Sequence, residues 1–285
     1  MDNAARTAVL ALYDAPDPAR PGHVIPGYDR DHAERTARIV LRLARELALD
    51  PRRHPGLELA CLLHDLGRAG MDSHLFGQIF GLAQEAGLPV RLRDLRARYP
   101  HVTEEQAPAF FLDLVAPLLA PHNIPLDDRL RDHIAMRMDF RGRLRRMLQQ
   151  SAPTLHALGL AVEPWMERVM LYYYYPELMH GQPDDVRLMG MILVACENFE
   201  AYNNVRRGRD YYGRTGERLP DVFAALDRFQ TQGLIAPRIL DALKRLTAAG
   251  ALDAVIKESR DLPPEAPLPA ADIAYQLQLR VSPSP

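Results

Sequence analysis

Residues Tyr28 to Gly70 read YDRDHAERTARIVLRLARELALDPRRHPGLELACLLHDLGRAG, and this stretch decides the fold. From His32 the apolar positions run Thr36, Ile39, Val40, Leu43 and Leu47, the steps of three and four that keep side chains on one face of an α-helix. Asp50-Pro51 is expected to end that helix, because the residue before a proline is pushed out of helical geometry. A second helix is expected over about 57–66, with Leu57, Ala60, Cys61 and His64 on one face and Gly67 as its C-cap.

Working outward, the helical period persists. Residues 126–150, 160–174, 219–231 and 236–249 carry it, and the strongest instance is DDVRLMGMILVACENFEAYNNV at 184–205. Asp184 and Asp185 suit the positive end of that helix's dipole. Between 70 and 125 Gly, Pro and Arg become more frequent, and short helices alternating with loops are expected. After Asp261 the chain turns Pro-rich (LPPEAPLPA) and ends in SPSP, which reads as a flexible tail. No alternating pattern is long enough for a sheet, so the expected class is all-α.

The chain has 285 residues, enough for a sizeable core. Its formal net charge of -2 gives no global attraction to nucleic acid or to an anionic membrane. Two cysteines outside any CxxC pattern argue against a disulfide framework and for a reducing, cytoplasmic setting. The N-terminal residues do not read as a signal peptide, and no apolar run approaches the length of a membrane span.

Three features carry chemistry. His32 lies on the inner face of the first helix. His64 and Asp65 close an apolar helix. Glu197 sits between Cys196 and Phe199 in the most hydrophobic helix of the chain. A lone inward histidine is usually a hydrogen-bonded core residue, and a His-Asp dipeptide alone means little. Glu197 could pair with the arginines at 206–209. Taken together, a helix-borne His followed about thirty residues later by an apolar-helix His-Asp, then Leu-Gly and a basic residue, is a much rarer pattern. An ionised carboxylate in apolar surroundings is costly unless paired or bound to a metal. Imidazoles combined with carboxylates suit a divalent transition ion (Mn, Fe, Ni or Zn).

The stretch over about 28–70 resembles the first half of an HD domain, the metal-dependent phosphohydrolase superfamily, and within it the HD-GYP branch that hydrolyses cyclic dinucleotides. The family's His followed by a basic residue corresponds to His32 with Arg35. Its Leu-Leu-His-Asp-Ile-Gly-Lys run corresponds to Leu62-Leu63-His64-Asp65-Leu66-Gly67-Arg68. A weaker likeness covers about 165–215, through VMLYYYYPELMHGQP and MGMILVACENFEAYNNVRRGR. There the family's paired histidines fall in the Tyr172–Tyr175 run. Its Gly-Tyr-Pro is reduced to His180-Gly181-Gln182-Pro183, and its metal-binding Asp is Glu197. A further ligand His falls near Met138 and Gly142, and a carboxylate sometimes supplied ahead of the first His falls on Tyr28.

The resemblance implies an HD-type bundle over 28–250 with a divergent insertion at about 70–125. An N-terminal extension (1–27) and a Pro-rich tail (251–285) would flank it. It implies a metal set of His32, His64, Asp65 and Glu197 holding about one ion per chain. It casts Asp65 as proton acceptor and Arg68 as phosphate clamp, with Arg206, Arg209 and Tyr173 against the substrate. The expected ligand is a small phosphorylated, nucleotide-like molecule. Nucleic acid and membranes are not expected partners, and a homodimer stays open. The alternatives are a degenerate HD-GYP-like protein that binds and signals without turnover, and an HD-type di-iron oxygenase.

Overall fold

A computed structural model of the chain describes residues 1–17, 20–205 and 217–281. The fold is all-α, with 69% of the described residues helical. Among the described residues the only strands are Ala15–Pro16 and Val24–Ile25, a two-residue antiparallel pair. In chain order the helices are α1 (Asn3–Leu10), α2 (Arg30–Glu46), α3 (His54–Leu63), α4 (Ser73–Glu85), α5 (Leu92–Arg98), α6 (Ala107–Leu119) and α7 (Asp128–Met138). They continue with α8 (Phe140–Ala157), α9 (Pro164–Leu171), α10 (Asp184–Asn203), α11 (Leu219–Thr231), α12 (Pro237–Ala248), α13 (Asp253–Ser259) and α14 (Ala270–Val281).

The chain folds as two compact units. The first comprises residues 1–10, 31–64 and 161–285, the second residues 11–30 and 65–160. In the first unit α10 is the central helix. It is buried on almost all sides, through Met189, Ile192, Leu193, Val194 and Phe199 among others, and packs against α9, α11, α12 and α13. That explains why its sequence is apolar almost throughout rather than on one stripe. Around it, α2 buries Ile39, Val40 and Leu43, and α3 buries every residue from Leu57 to Leu63.

The helix bearing His32 ends earlier than Asp50-Pro51. Leu49 N–H reaches back to the Ala44 carbonyl, and Ala48 takes a left-handed conformation with φ of 52°. This is the Schellman turn that commonly closes a helix, and here it forms without a glycine. The stretch read as a flexible tail contains helices as well. α13 and α14 follow residue 252, and Asp272 and Gln276 of α14 are buried. Asp272 accepts from the Leu219 backbone N–H at 2.6 Å and pairs with Arg260, while Gln276 donates to the Thr247 carbonyl at 3.1 Å. The proline run at 263–269 is therefore a connector, and α14 beyond it is docked.

The second unit is built on α4, α6, α7 and α8, with α5 against α6. Its core is aromatic: Phe80 stacks on Phe111 with ring centroids 5.3 Å apart, and the Arg137 guanidinium lies 5.5 Å from the Phe80 ring. Asp72, Asp127 and Asp139 cap α4, α7 and α8 by accepting backbone N–H groups in the first turn. A Cβ on Gly142 would displace the Asp139 capping carboxylate. The Met138–Gly142 segment, where the family pattern would put a ligand histidine, is the junction between α7 and α8.

Gly67 is not a helix C-cap. α3 stops at Leu63, and Gly67 lies in a following 3₁₀ turn, Leu66–Arg68, without a positive φ. A Cβ there would meet the Phe140 ring at 2.7 Å, so close packing against α8 is what requires glycine. Arg143 holds the same turn. It donates to the Gly67 and Ala69 carbonyls at 2.5 and 2.9 Å and pairs with Asp132 at 2.8 Å. Burial would raise the Asp132 carboxyl, but the Arg143 guanidinium outweighs it and holds the group below its usual range.

Candidate metal centre

His32 lies in the first turn of α2, His64 immediately after α3, and Glu197 in the last two turns of α10. All three belong to the first unit and all are buried, at 2%, 3% and 6% exposure. One potential ligand atom from each lies within 4.8 Å of the others. Two ligands about 2.1 Å from a shared transition ion in tetrahedral geometry are roughly 3.4 Å apart, so a spread within 4.8 Å is on the scale of a metal site. Among the described residues this is the single such group of three or more His, Cys, Asp and Glu side chains.

The donor chemistry fits a metal. His64 Nδ1 lies 2.6 Å from the Cys61 carbonyl oxygen. A carbonyl only accepts, so Nδ1 carries the hydrogen and Nε2 offers the lone pair. His32 Nδ1 bonds Glu200, an acceptor when ionised, and the same logic leaves Nε2 for ligation. The two imidazole rings are 5.3 Å apart and tilted by 57°. Among the described residues the Glu197 carboxylate has no salt-bridge partner, a costly condition for a buried anion in the absence of a cation.

Glu200 was not part of the expected site. It is fully buried, accepts from Arg35 Nε at 2.6 Å and Ser259 Oγ at 3.1 Å, and contacts His32. Burial alone would raise its carboxyl, but His32 and Arg35 prevail and hold it at about 2, so it is ionised. The Glu197-x-x-Glu200 spacing puts both acids on neighbouring positions of one helix face. Together with the basic residue three positions after His32, that spacing was the available signal.

No protein-family model, curated protein or solved structure matches this chain.

The other expected residues are placed as follows. Asp65 is the next residue in the chain after His64 and opens the second unit. Arg68 is 8% exposed, with its guanidinium 3.6 Å from the Asp65 carboxylate and 3.7 Å from that of Asp29. Asp29, 2% exposed, stands beside the tyrosine that the family pattern aligned with an extra carboxylate, and the sequence reading passed over it. Tyr173 belongs to an aromatic cluster, 5.0 Å from the Tyr174 ring and 5.9 Å from Phe229. Tyr172 is buried, and burial pushes its phenol up, so it stays protonated and is a poor ligand for a divalent ion. Arg206 and Arg209 lie outside the described residues.

Proposed function

We propose that this protein is a metal-dependent phosphohydrolase or phosphodiesterase of the HD type, acting on a small nucleotide-like phosphoester. The observation that carries the reading is the buried His32, His64 and Glu197 set, drawn from three helices far apart in sequence and convergent within 4.8 Å. It supports a site for one divalent transition ion. His32, His64 and Glu197 would hold the ion, and it would supply Lewis-acid polarisation of a phosphoryl oxygen and acidification of water.

The chain's own residues have distinct tasks in this reading. His32 and His64 present Nε2 because their Nδ1 atoms are engaged by Glu200 and by the Cys61 carbonyl. Glu197 supplies the negative charge that makes the pocket selective for a cation. Asp65 is the proposed proton acceptor, on the strength of its place after His64 in the motif. Arg68 is the proposed phosphate contact. Its two carboxylate neighbours hold the guanidinium in place and would have to share it with the ligand. The reading extends to a cytoplasmic setting, supported by two cysteines not joined in a disulfide and by the lack of any described helix long and apolar enough to cross a membrane.

The Tyr172–Tyr175 run favours one metal rather than two. Tyr172 and Tyr175 are buried and Tyr173 packs on other aromatics, so these positions contribute apolar surface where the resembled family carries histidines. The same feature is compatible with binding without turnover. Elemental analysis of the purified protein, followed by a screen of phosphomonoesters, phosphodiesters and cyclic dinucleotides, separates these readings. One Mn, Fe, Ni or Zn per chain with phosphoester turnover is the expected result. A metal-loaded protein inert to every substrate would favour the ligand-binding reading. Two irons per chain with oxygen consumption would favour an oxygenase.

A further inference from the structure

We infer that Glu200 is a positioning residue of the metal centre, fixing His32 so that its Nε2 is the ligating atom; this rests on the metal-site reading above. The geometry is a carboxylate–imidazole pair placed behind a candidate ligand. Such partners set ring orientation and tautomer and raise ligand basicity. Glu200 is fully buried and makes side-chain contacts on several sides. Oε2 meets His32 Nδ1, while Oε1 accepts from Arg35 Nε on α2 and from Ser259 Oγ at the end of α13. Asn204, at the end of α10, donates to Oε1 at 3.3 Å.

Two alternatives are less satisfactory. If Glu200 served only to neutralise Arg35, neither the imidazole contact nor the anchors at Ser259 and Asn204 would be needed. Arg35 is 12% exposed and could reach water instead. If Glu200 were itself a ligand, its oxygens would belong to the convergent set, but that set is His32, His64 and Glu197. Both Glu200 oxygens are already committed to protein donors. The helix α10 therefore carries one acid as ligand and, three residues on, a second acid that orients another ligand.

The test uses the full chain, with Co²⁺ and Zn²⁺ as probes. Titration with Co²⁺, followed by its visible absorption, should show E200Q binding the ion about 10- to 100-fold more weakly than the parent. Its absorption bands should be altered as well, because an imidazole free to rotate changes the ligand field. E200D, which keeps the charge but shortens the reach, should fall between. Nitrogen-15 long-range spectra of the zinc-loaded parent should show His32 protonated at Nδ1 and metal-bound at Nε2, a readout that needs no variant to fold. Parent-like affinity and absorption in a folded E200Q, or ligation through His32 Nδ1, overturns the role of Glu200. Failure of the parent to bind Co²⁺, Zn²⁺ or Mn²⁺ overturns the metal-site reading instead. The His32 tautomer of the metal-free parent at alkaline pH then decides the Glu200 contact alone, with hydrogen on Nε2 counting against it.

Discussion

Replacing Glu197 by glutamine separates a metal ligand from a packing residue, because the two roles predict opposite signs in metal-free protein. Glu197 is 6% exposed and has no salt-bridge partner among the described residues, so its carboxylate burdens the empty fold. Glutamine keeps the shape and removes the charge. Metal-free E197Q should then be at least as stable as the parent, with a gain on the order of 1–3 kcal/mol, the usual cost of a poorly satisfied buried polar group. Adding metal reverses the order. At a free ion concentration 100 times its Kd, the parent gains about 2.7 kcal/mol. If loss of one ligand weakens binding about 100-fold, the same concentration equals the variant's Kd and adds only about 0.4 kcal/mol. The metal-induced shifts in Tm should differ by roughly 4 °C for a chain of this size. Thermal unfolding of both proteins, with chelator and with Mn²⁺ or Zn²⁺, measures all four values. A metal-free E197Q that melts well below the parent, together with equal metal shifts in the two proteins, would refute the reasoning and return Glu197 to a packing role.

Three further outcomes are expected. Acid should destabilise the second unit through His133: its Nε2 accepts the Asp72 backbone N–H at 2.9 Å and its Nδ1 donates to the Arg129 carbonyl, so it is buried neutral, and desolvation holds its pKa below the ordinary 6.5. The unfolded chain then binds the proton more tightly, so the contribution is complete above pH 6.5 and is lost as pH falls below it; protection factors of α4 and α7 amides, taken relative to the intrinsic exchange rate at each pH, should fall as pH drops below 6.5, and constant protection would count against this. Gly67→Ala should cost about 1–3 kcal/mol, because its Cβ meets the Phe140 ring at 2.7 Å, and the double change with Phe140→Leu should recover part of the loss in denaturant unfolding. Asp65→Ala should lower turnover of the best phosphoester by at least about 100-fold with helicity retained, whereas Arg68→Ala should chiefly raise KM; equal kinetics for parent and both variants would remove these residues from the chemistry.

The class of fold was legible because its signal is periodic, and a periodic signal survives divergence. The stripe from Thr36 to Leu43 faces the core, and the all-apolar stretch of α10 is the buried centre of its unit. Helix ends were less legible. Ala48 closes α2 in a left-handed conformation that a sequence reader expects of glycine, whereas Gly67, which looks like a cap, is required by a ring from α8, 73 residues further on in the chain. The final helix was missed because prolines at 263, 264, 267 and 269 dominate the local composition, while the burial of Asp272 and Gln276 comes from distant partners. The expected set was His32, His64, Asp65 and Glu197; the group of ligand atoms within 4.8 Å of one another comprises His32, His64 and Glu197. Asp29 was passed over because an acid in a charged stretch gives no local sign of being buried, whereas Glu200 had a sign, its spacing of three from Glu197 on the most apolar helix.

The arrangement of acids on α10 has a consequence for how such a site tolerates change. Glu197 and Glu200 lie three residues apart on one helix, so a rotation or slide of α10 moves ligand and positioning residue together. The anchors of Glu200 come from α2 through Arg35 and from α13 through Ser259, and α13 in turn packs on α10. Just beyond Ser259, Arg260 binds Asn203 at the end of α10 and pairs with the buried Asp272 of α14. Arg260 thus joins the buried Asp272 of α14 to Asn203, which lies on α10 three residues after Glu200. Asp272 and Asn203 are buried, so removing the Arg260 guanidinium would leave their polar groups without that partner. α14 therefore supports, through Arg260, the end of α10 that carries Glu200. Truncation after residue 262 should weaken Co²⁺ binding as well as stability, and a truncated chain that binds Co²⁺ with parental affinity would show that this support does not reach the site.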